Sequence, residues 1–394
     1  MSALTDRAAI AIADRVLHTI RRGAVTVTWP DGSSGTFRGR RPGPHAQVVV
    51  TDLRLVRALA TTGAIALADG WIAGWYDTPD LAAVIELAAL QLEDSRPAPS
   101  ALERAGRRLW ASVTDPVAAR GPLVDIVQHY DLGNDFYAAW LDPTMTYSSA
   151  YFERDDMTLE EAQRAKYRRL AARAGIEPGM RVLEIGSGWG ANAVYLAGEL
   201  GCEVTTVTVS REQARYVGKL AADQGLAGVI DVQLGDFAEA TGTYDRVVSV
   251  EMIESIPRER WLDLLRVMRD RLAPDGTIGL QSIWVADRHW ARSDANPDFV
   301  RRYIFPGGQV PAPMVLRDLA SLAGLTWIGD ESFGASYART LHVWGERFDA
   351  AWPDIAALGF DERFRRMWRY YLAYCEGGFR SGRVGVSQIA LRRL

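Results

Sequence analysis

The 394-residue sequence predicts an α/β fold: a seven-stranded, mainly parallel sheet preceded by a small α+β domain. Three observations predict it. Short β-rich runs recur at 181–185, 203–209, 229–233, 245–250, 277–283, 339–345 and 386–392, with helix-length segments between them, as a parallel sheet requires. The run Arg181–Ile185 breaks into Gly186-Ser187-Gly188-Trp189-Gly190, and a helical run follows from Ala191 to Leu200. Strand, glycine turn and helix bring bare backbone up to a nucleotide-like ligand. Finally, Arg96-Pro97-Ala98-Pro99-Ser100 is a composition break, which sets residues 1–95 apart as an N-terminal domain, 96–122 as a linker and 123–394 as a larger domain.

The elements follow in order. Residues 5–22 carry Ile10, Ile12, Val16, Leu17 and Ile20 at helical spacing. Ala24–Trp29, a turn at Pro30-Asp31-Gly32, and Gly35–Arg38 form a hairpin; Gln47–Thr51 adds a strand, and Leu53–Ala60 and Leu81–Leu92 are helical. Past the break, Arg104, Arg107 and Arg108 beside Leu109 and Trp110 read as a solvated helix face, with a lipid-headgroup contact as the alternative. Thr158-Leu159-Glu160-Glu161 is a capping box that opens a helix to about Ala174. Arg258–Leu272 is amphipathic, with Trp261, Leu262, Leu265, Met268 and Leu272 on one side, and Pro274-Asp275-Gly276 ends it.

Composition excludes several classes. The net charge of -4 lacks the basic field of a nucleic-acid binder. The two cysteines, Cys202 and Cys375, show neither metal spacing nor a disulfide framework, which fits a reducing cytoplasm. Charged residues in the first helical run argue against a signal peptide, and no uncharged apolar run has the length of a membrane span.

The glycine turn narrows its ligand. No lysine lies near it, so it is not a Walker phosphate loop. The third glycine, Gly190, stands one position early for a dinucleotide fingerprint, and Val204–Thr208 offers no acid for a ribose. S-adenosylmethionine, which carries no phosphate, is favoured, with Glu184 before the turn able to accept a hydrogen bond or face a positive sulfur.

The segment His129-Tyr130-Asp131-Leu132-Gly133-Asn134-Asp135-Phe136-Tyr137, running into Leu141-Asp142-Pro143-Thr144-Met145-Thr146-Tyr147-Ser148-Ser149-Ala150-Tyr151-Phe152, closely resembles the cyclopropane-fatty-acyl-phospholipid synthase family, which includes the mycolic acid cyclopropane synthases. Glu251-Met252-Ile253-Glu254, Phe305-Pro306-Gly307-Gly308, Tyr337–Leu341 and Tyr371–Glu376 match in order and spacing, from about 123 to 394. More loosely, Ala68–Asp77 resembles the lipid-handling domain of longer members.

The resemblance implies a Rossmann-like S-adenosylmethionine methyltransferase that acts on the cis double bond of an unsaturated phospholipid acyl chain and forms a cyclopropane fatty acid. It implies a carbocation deprotonated by a bound bicarbonate, peripheral contact with the inner face of the membrane from the cytoplasm, and a homodimer. It assigns Gly186, Ser187 and Gly188 to the donor's methionine part, with Tyr147 and Ser148 closing over it. Thr208, Ser210 and Gln213 lie beyond the second strand, Gln213 towards the ribose. Asp236 and Phe237 take the adenine side. Glu254 and Tyr337 would hold bicarbonate, with Ser149 and Gln281 standing where the family often has cysteine and histidine; both can still donate to an anion. Tyr130 falls near the reacting centre. Core packing is the competing reading of Phe237 and Tyr130, and a charge at a helix start that of Glu254. A related methyltransferase making methylene- or methyl-branched fatty acids, or methylating a small amine, is the alternative function. A lipid-binding protein without catalysis is opposed by the intact Glu184, Gly186, Gly188, Glu254 and Tyr337.

Overall fold

The computed structural model describes residues 3–93, 132–295 and 298–394. The expected linker 96–122, its arginines and Tyr130 lie outside the described residues. The chain divides into two compact units: Met1–Asp131 with Pro297–Ile304 and Asp349–Arg383, and Leu132–Asn296 with Phe305–Phe348 and Val384–Leu394.

In the first unit, strands β1 (Arg22–Thr28), β2 (Ser34–Arg38), β3 (Arg41–Val50) and β4 (Tyr76–Asp77) form a sheet of order β2-β1-β3-β4. β1 and β2 are the antiparallel hairpin the turn residues call for, whereas β1 and β3 run parallel. Helices Leu81–Glu93 and Glu362–Arg380 belong to this unit. They pack closely at Gly377, where a Cβ would lie 2.8 Å from the Glu86 nitrogen and 2.9 Å from the Ala82 oxygen. The Arg366 guanidinium covers the Trp71 ring at 4.2 Å, and each residue donates to the other's carbonyl. The expectation that 123–394 forms one domain therefore differs from the structure. The reason is that this pairing joins residues 295 positions apart, a separation no local pattern encodes.

The second unit holds β5 (Arg181–Ile185), β6 (Glu203–Thr208), β7 (Ile230–Leu234), β8 (Tyr244–Val250), β9 (Leu272–Val285), β10 (Leu325–Ser332) and β11 (Val384–Arg393) in the order β10-β11-β9-β8-β5-β6-β7. β5 to β9 pair in parallel, and β11 and β10 are added antiparallel. Successive residues of a strand face opposite ways. Leu183 and Ile185 thus meet Trp261, Leu264, Leu265 and Met268, while Val182 faces Tyr167, Ala171 and Leu196. Covering both faces is what turns parallel strands into continuous apolar runs. Each fully buried Leu, Ile or Met contributes about 1.5–3 kcal/mol.

Local signals carry over well. Thr158 and Glu161 bond reciprocally at the start of helix Leu159–Ala174, and Gly175 ends it in the left-handed conformation. The helix after the glycine turn, Ala191–Val194, widens into a π-helical turn at Tyr195–Glu199. One expected strand is wrong: 339–345 lies within helix Gly334–Ala350. Buried Tyr337, Leu341, Trp344 and Phe348 recur at helical spacing, which outweighs the β-propensity of the aromatic residues. The seventh strand is instead β10, whose half-polar alternation is that of an edge. Pro274-Asp275-Gly276 also lies inside β9, at a register irregularity against β8, rather than before it.

Candidate active site

The donor side is built on the end of β5. Gly186 adopts φ 95°, and a Cβ there would lie 3.0 Å from the Met252 side chain. At Gly190, φ 88°, a Cβ would lie 3.0 Å from Val217. Gly188, φ 50°, faces open space, with nothing within 4 Å of a Cβ. The outer glycines thus permit packing while the middle one leaves room for a ligand. Beneath them Glu184 is buried, its two oxygens accepting from Asn192 Nδ2 at 2.8 Å and Thr206 Oγ1 at 2.6 Å. Thr206 Oγ1 also lies 2.7 Å from Ser187 Oγ. Burial pushes the Glu184 carboxyl up to about 7, against the pull of these bonds. Glu184 therefore braces the turn from below rather than presenting a free carboxylate.

Beyond β6, Thr208 Oγ1 donates to Gln213 Oε1 at 2.8 Å, and Ser210 caps the next helix through the Gln213 nitrogen. The three expected residues meet. Asp236 and Phe237 also meet, but around Arg260: its guanidinium forks onto both Asp236 oxygens at 2.7 Å and covers the Phe237 ring at 4.3 Å. Arg260 holds the Asp236 carboxyl below its usual range. Phe237 also belongs to the core beside Trp261 and Leu264. The open space at Gly188 and the polar trio Thr208, Ser210 and Gln213 fit an S-adenosyl group.

The acid side differs from expectation. Ser149, Gln281 and Tyr337 do come together, but on Glu251 rather than Glu254. Glu251 Oε1 accepts from the Ser149 nitrogen at 2.9 Å and Gln281 Nε2 at 2.8 Å, and its Oε2 from the Tyr337 hydroxyl at 2.7 Å. The Ser149 hydroxyl turns away to the Ala150 carbonyl at 2.9 Å. Glu254 Oε1 accepts from Ser282 Oγ at 2.8 Å and the Ile283 nitrogen at 2.5 Å, and its buried Oε2 has no hydrogen-bond partner. Burial, then the charge of Glu251, pushes Glu254 up to about 8; burial raises Glu251 as well, against its three donors. Glu254 also anchors the Phe305–Gly308 motif, because Gln309 donates to its carbonyl and Gly308 lies against it. Met252, between the two carboxylates in sequence, is the residue packed on Gly186, so the acid cluster adjoins the donor turn.

Two features escaped the sequence reading. Lys166 is fully buried, its Nζ 2.7 Å from Ser148 Oγ and 4.1 Å above the Tyr167 ring. Burial lowers it to about 7, although Glu251, Asp142 and Glu184 pull the other way. Ser148 is thus turned to Lys166. Its rarity was visible, since Lys166 and Lys219 are the only lysines, but its burial was not. The second feature is an aromatic wall. Trp189 meets Tyr137 at 4.9 Å, Tyr137 meets Tyr147 at 5.4 Å, Tyr147 meets Trp344 at 5.4 Å and Trp344 meets Tyr337 at 6.2 Å. It runs from the glycine turn to the acid cluster, and aromatic faces of this kind attract cations. Among the described residues no group of His, Cys, Asp and Glu is arranged to hold a metal.

Comparison with known proteins adds the following. The family described as mycolic acid cyclopropane synthetase matches residues 119–389. A tuberculostearic acid methyltransferase of Mycobacterium tuberculosis (strain ATCC 25618 / H37Rv) is 33% identical over 98% of this chain and 92% of its own length. A cyclopropane-fatty-acyl-phospholipid synthase of Escherichia coli (strain K12) is 37% identical over 68% of this chain and 67% of its own. The crystal structure of a mycolic acid cyclopropane synthase complexed with SAH and CTAB superposes with a TM-score of 0.63 at 32% identity, covering 69% of this chain and 98% of that one.

Proposed function

Because the chain belongs to the mycolic acid cyclopropane synthetase family, we propose that it methylates the cis double bond of an unsaturated phospholipid acyl chain and forms a cyclopropane fatty acid. The observation that carries this reading is the contact of Met252 with Gly186, which sets the Glu251–Glu254 carboxylates beside the donor turn. S-adenosylmethionine would supply an activated methyl group on a positive sulfur. Gly186, Ser187 and Gly188 would hold its methionine part, Gln213 the ribose and Asp236 the adenine side.

The chain's residues answer the demands of a weak nucleophile. An alkene reacts only when held in line with the donor, in a site that excludes water. Tyr137, Tyr147, Trp189 and Trp344 supply apolar walls for the acyl chain and ring faces for the positive charge that develops on it. The acid cluster supplies the proton acceptor. The N-terminal unit is assigned to lipid handling, and the reaction to the cytoplasmic membrane surface, with the protein held there peripherally, as a homodimer. No helix among the described residues is long and apolar enough to cross a membrane.

A second reading, a methylene- or methyl-branched product, is favoured by the match over 98% of the chain to a relative named as a methyltransferase rather than a cyclopropane synthase. The test is incubation with labelled S-adenosylmethionine and monounsaturated phospholipid vesicles, followed by mass analysis of the acyl chains. A gain of one CH2 with no olefinic NMR signal supports the ring. The same gain with a terminal methylene signal supports the branched product. Label in a small amine and none in lipid overturns both.

A further inference from the structure

The acid cluster does not fit the bicarbonate that the family resemblance implies. Three of the residues expected to hold that ion, Ser149 by its backbone nitrogen, Gln281 and Tyr337, already donate to the Glu251 carboxylate at 2.9, 2.8 and 2.7 Å. Gln281 is fixed in that role, since Gln388 Nε2 donates to its Oε1 at 3.0 Å and leaves its Nε2 to face Glu251. A second anion here would find these three donors taken and a like charge beside it, with the Glu254 Oε2 alone left without a partner. The backbone points the same way. Glu251 sits at φ 51°, the left-handed region that favours glycine, and Met145 is the only other such non-glycine residue among those described. A side chain held there by three bonds marks a functional constraint.

Resting on the alkene-methylating reading, we infer that the Glu251 carboxylate is the chain's own proton acceptor and takes the place of a dissolved bicarbonate ion. The alkene's π pair forms the bond to the methyl carbon, and the carbon–sulfur pair leaves with the sulfur. One alkene carbon becomes cationic. A Glu251 oxygen then forms a bond to a proton of the added methyl, and the freed C–H pair closes onto the cationic carbon as the third ring bond. The proton passes from Glu251 to solvent, so each turnover releases one proton. Gln388 acts only through Gln281 and is a positioning residue.

The test combines rate with binding on the full-length protein. The rate of lipid labelling by wild type should change less than about 2-fold between CO2-free buffer and buffer with added sodium bicarbonate. Glu251→Gln should lose at least about 100-fold, the lower range for a general base, keep its affinity for S-adenosylhomocysteine within about 3-fold, and gain nothing from bicarbonate. Glu251→Gly, whose backbone suits a positive φ, should be comparably slow and regain at least about 10-fold with bicarbonate. By 13C NMR line broadening, 13C-bicarbonate should bind Glu251→Gly and not wild type. A bicarbonate-dependent wild type, a Glu251→Gln variant at the wild-type rate, bicarbonate binding to wild type, or none to Glu251→Gly each overturns the inference. If wild type leaves lipid unlabelled under every condition, the reading of the acceptor fails, while the binding arm still decides whether Glu251 fills the anion's place.

Discussion

The glycine turn of the donor side takes Glu184, Gly186, Ser187, Gly188 and Gly190 from one short stretch, whereas the acid side gathers Ser149, Glu251, Gln281, Tyr337 and Gln388 from separate segments. The two are held by different means. The turn after β5 is fixed by its own glycine conformations and by the bonds of Glu184 directly beneath it. The acid side depends on sheet register. Gln281 on β9 lies opposite Gln388 on β11, and the Glu251 nitrogen donates to the Gln281 carbonyl at 2.8 Å. A one-residue slip of β11 would turn Gln388 to the other face, away from Gln281. The conformation of the turn can therefore be encoded locally, while the proton-accepting group relies on the completed sheet.

Substitutions can break that contrast. After the Glu251 variants, the largest effect is expected for Tyr337→Phe, which removes a charge-assisted hydrogen bond from Glu251. Turnover should fall about 10- to 100-fold, in line with the ~1.5–3 kcal/mol of such a bond, with donor affinity unchanged by calorimetry. Wild-type turnover would detach Tyr337 from the acid side. Gly190→Ala does the reverse. Its Cβ would meet Val217 at 3.0 Å in a backbone conformation that L-residues avoid. Thermal melts should show a loss of about 2 kcal/mol, and calorimetry a weaker donor affinity; an unchanged affinity would mean that the turn tolerates what its packing forbids.

Glu254→Gln probes charge. The Glu254 carboxyl is raised from 4.5 to about 8, so the native state keeps a proton that the unfolded chain has released across that window. The stability tied to it is full below about pH 4.5 and is lost as pH rises through about 8. Replacing it with an uncharged amide should flatten the melting-temperature profile there. A profile as steep as that of wild type would show that Glu254 is not the group responsible. The smallest effect belongs to neither side: Thr158→Ala removes half of a capping box and should cost ~1 kcal/mol in chemical denaturation, with turnover unchanged.

The same contrast explains what the sequence revealed. Strand β5, its glycine turn and the capping box are local patterns, and they were legible residue by residue. Glu251 was in view within its motif, but nothing local says that Gln281, Tyr337 and the Ser149 backbone converge on it rather than on Glu254. Lys166 sat in an ordinary helical run, and only the packed structure turns its ammonium inward. The strand expected at 339–345 has the same root: β-propensity acts over a few residues, while the helical burial pattern from Tyr337 to Phe348 needs about three turns to declare itself.

The packing of helix Glu362–Arg380 on helix Leu81–Glu93 has a consequence for biosynthesis. Trp71 emerges from the ribosome early, yet its partner Arg366 lies 295 positions later. At a synthesis rate of roughly 5–20 residues per second, the first unit waits about 15–60 s for the helix that covers it. Until then the apolar side of helix Leu81–Glu93 has no cover from that helix, and the nascent chain is exposed to chaperones and to self-association. A fragment truncated before residue 362 would carry this vulnerability permanently.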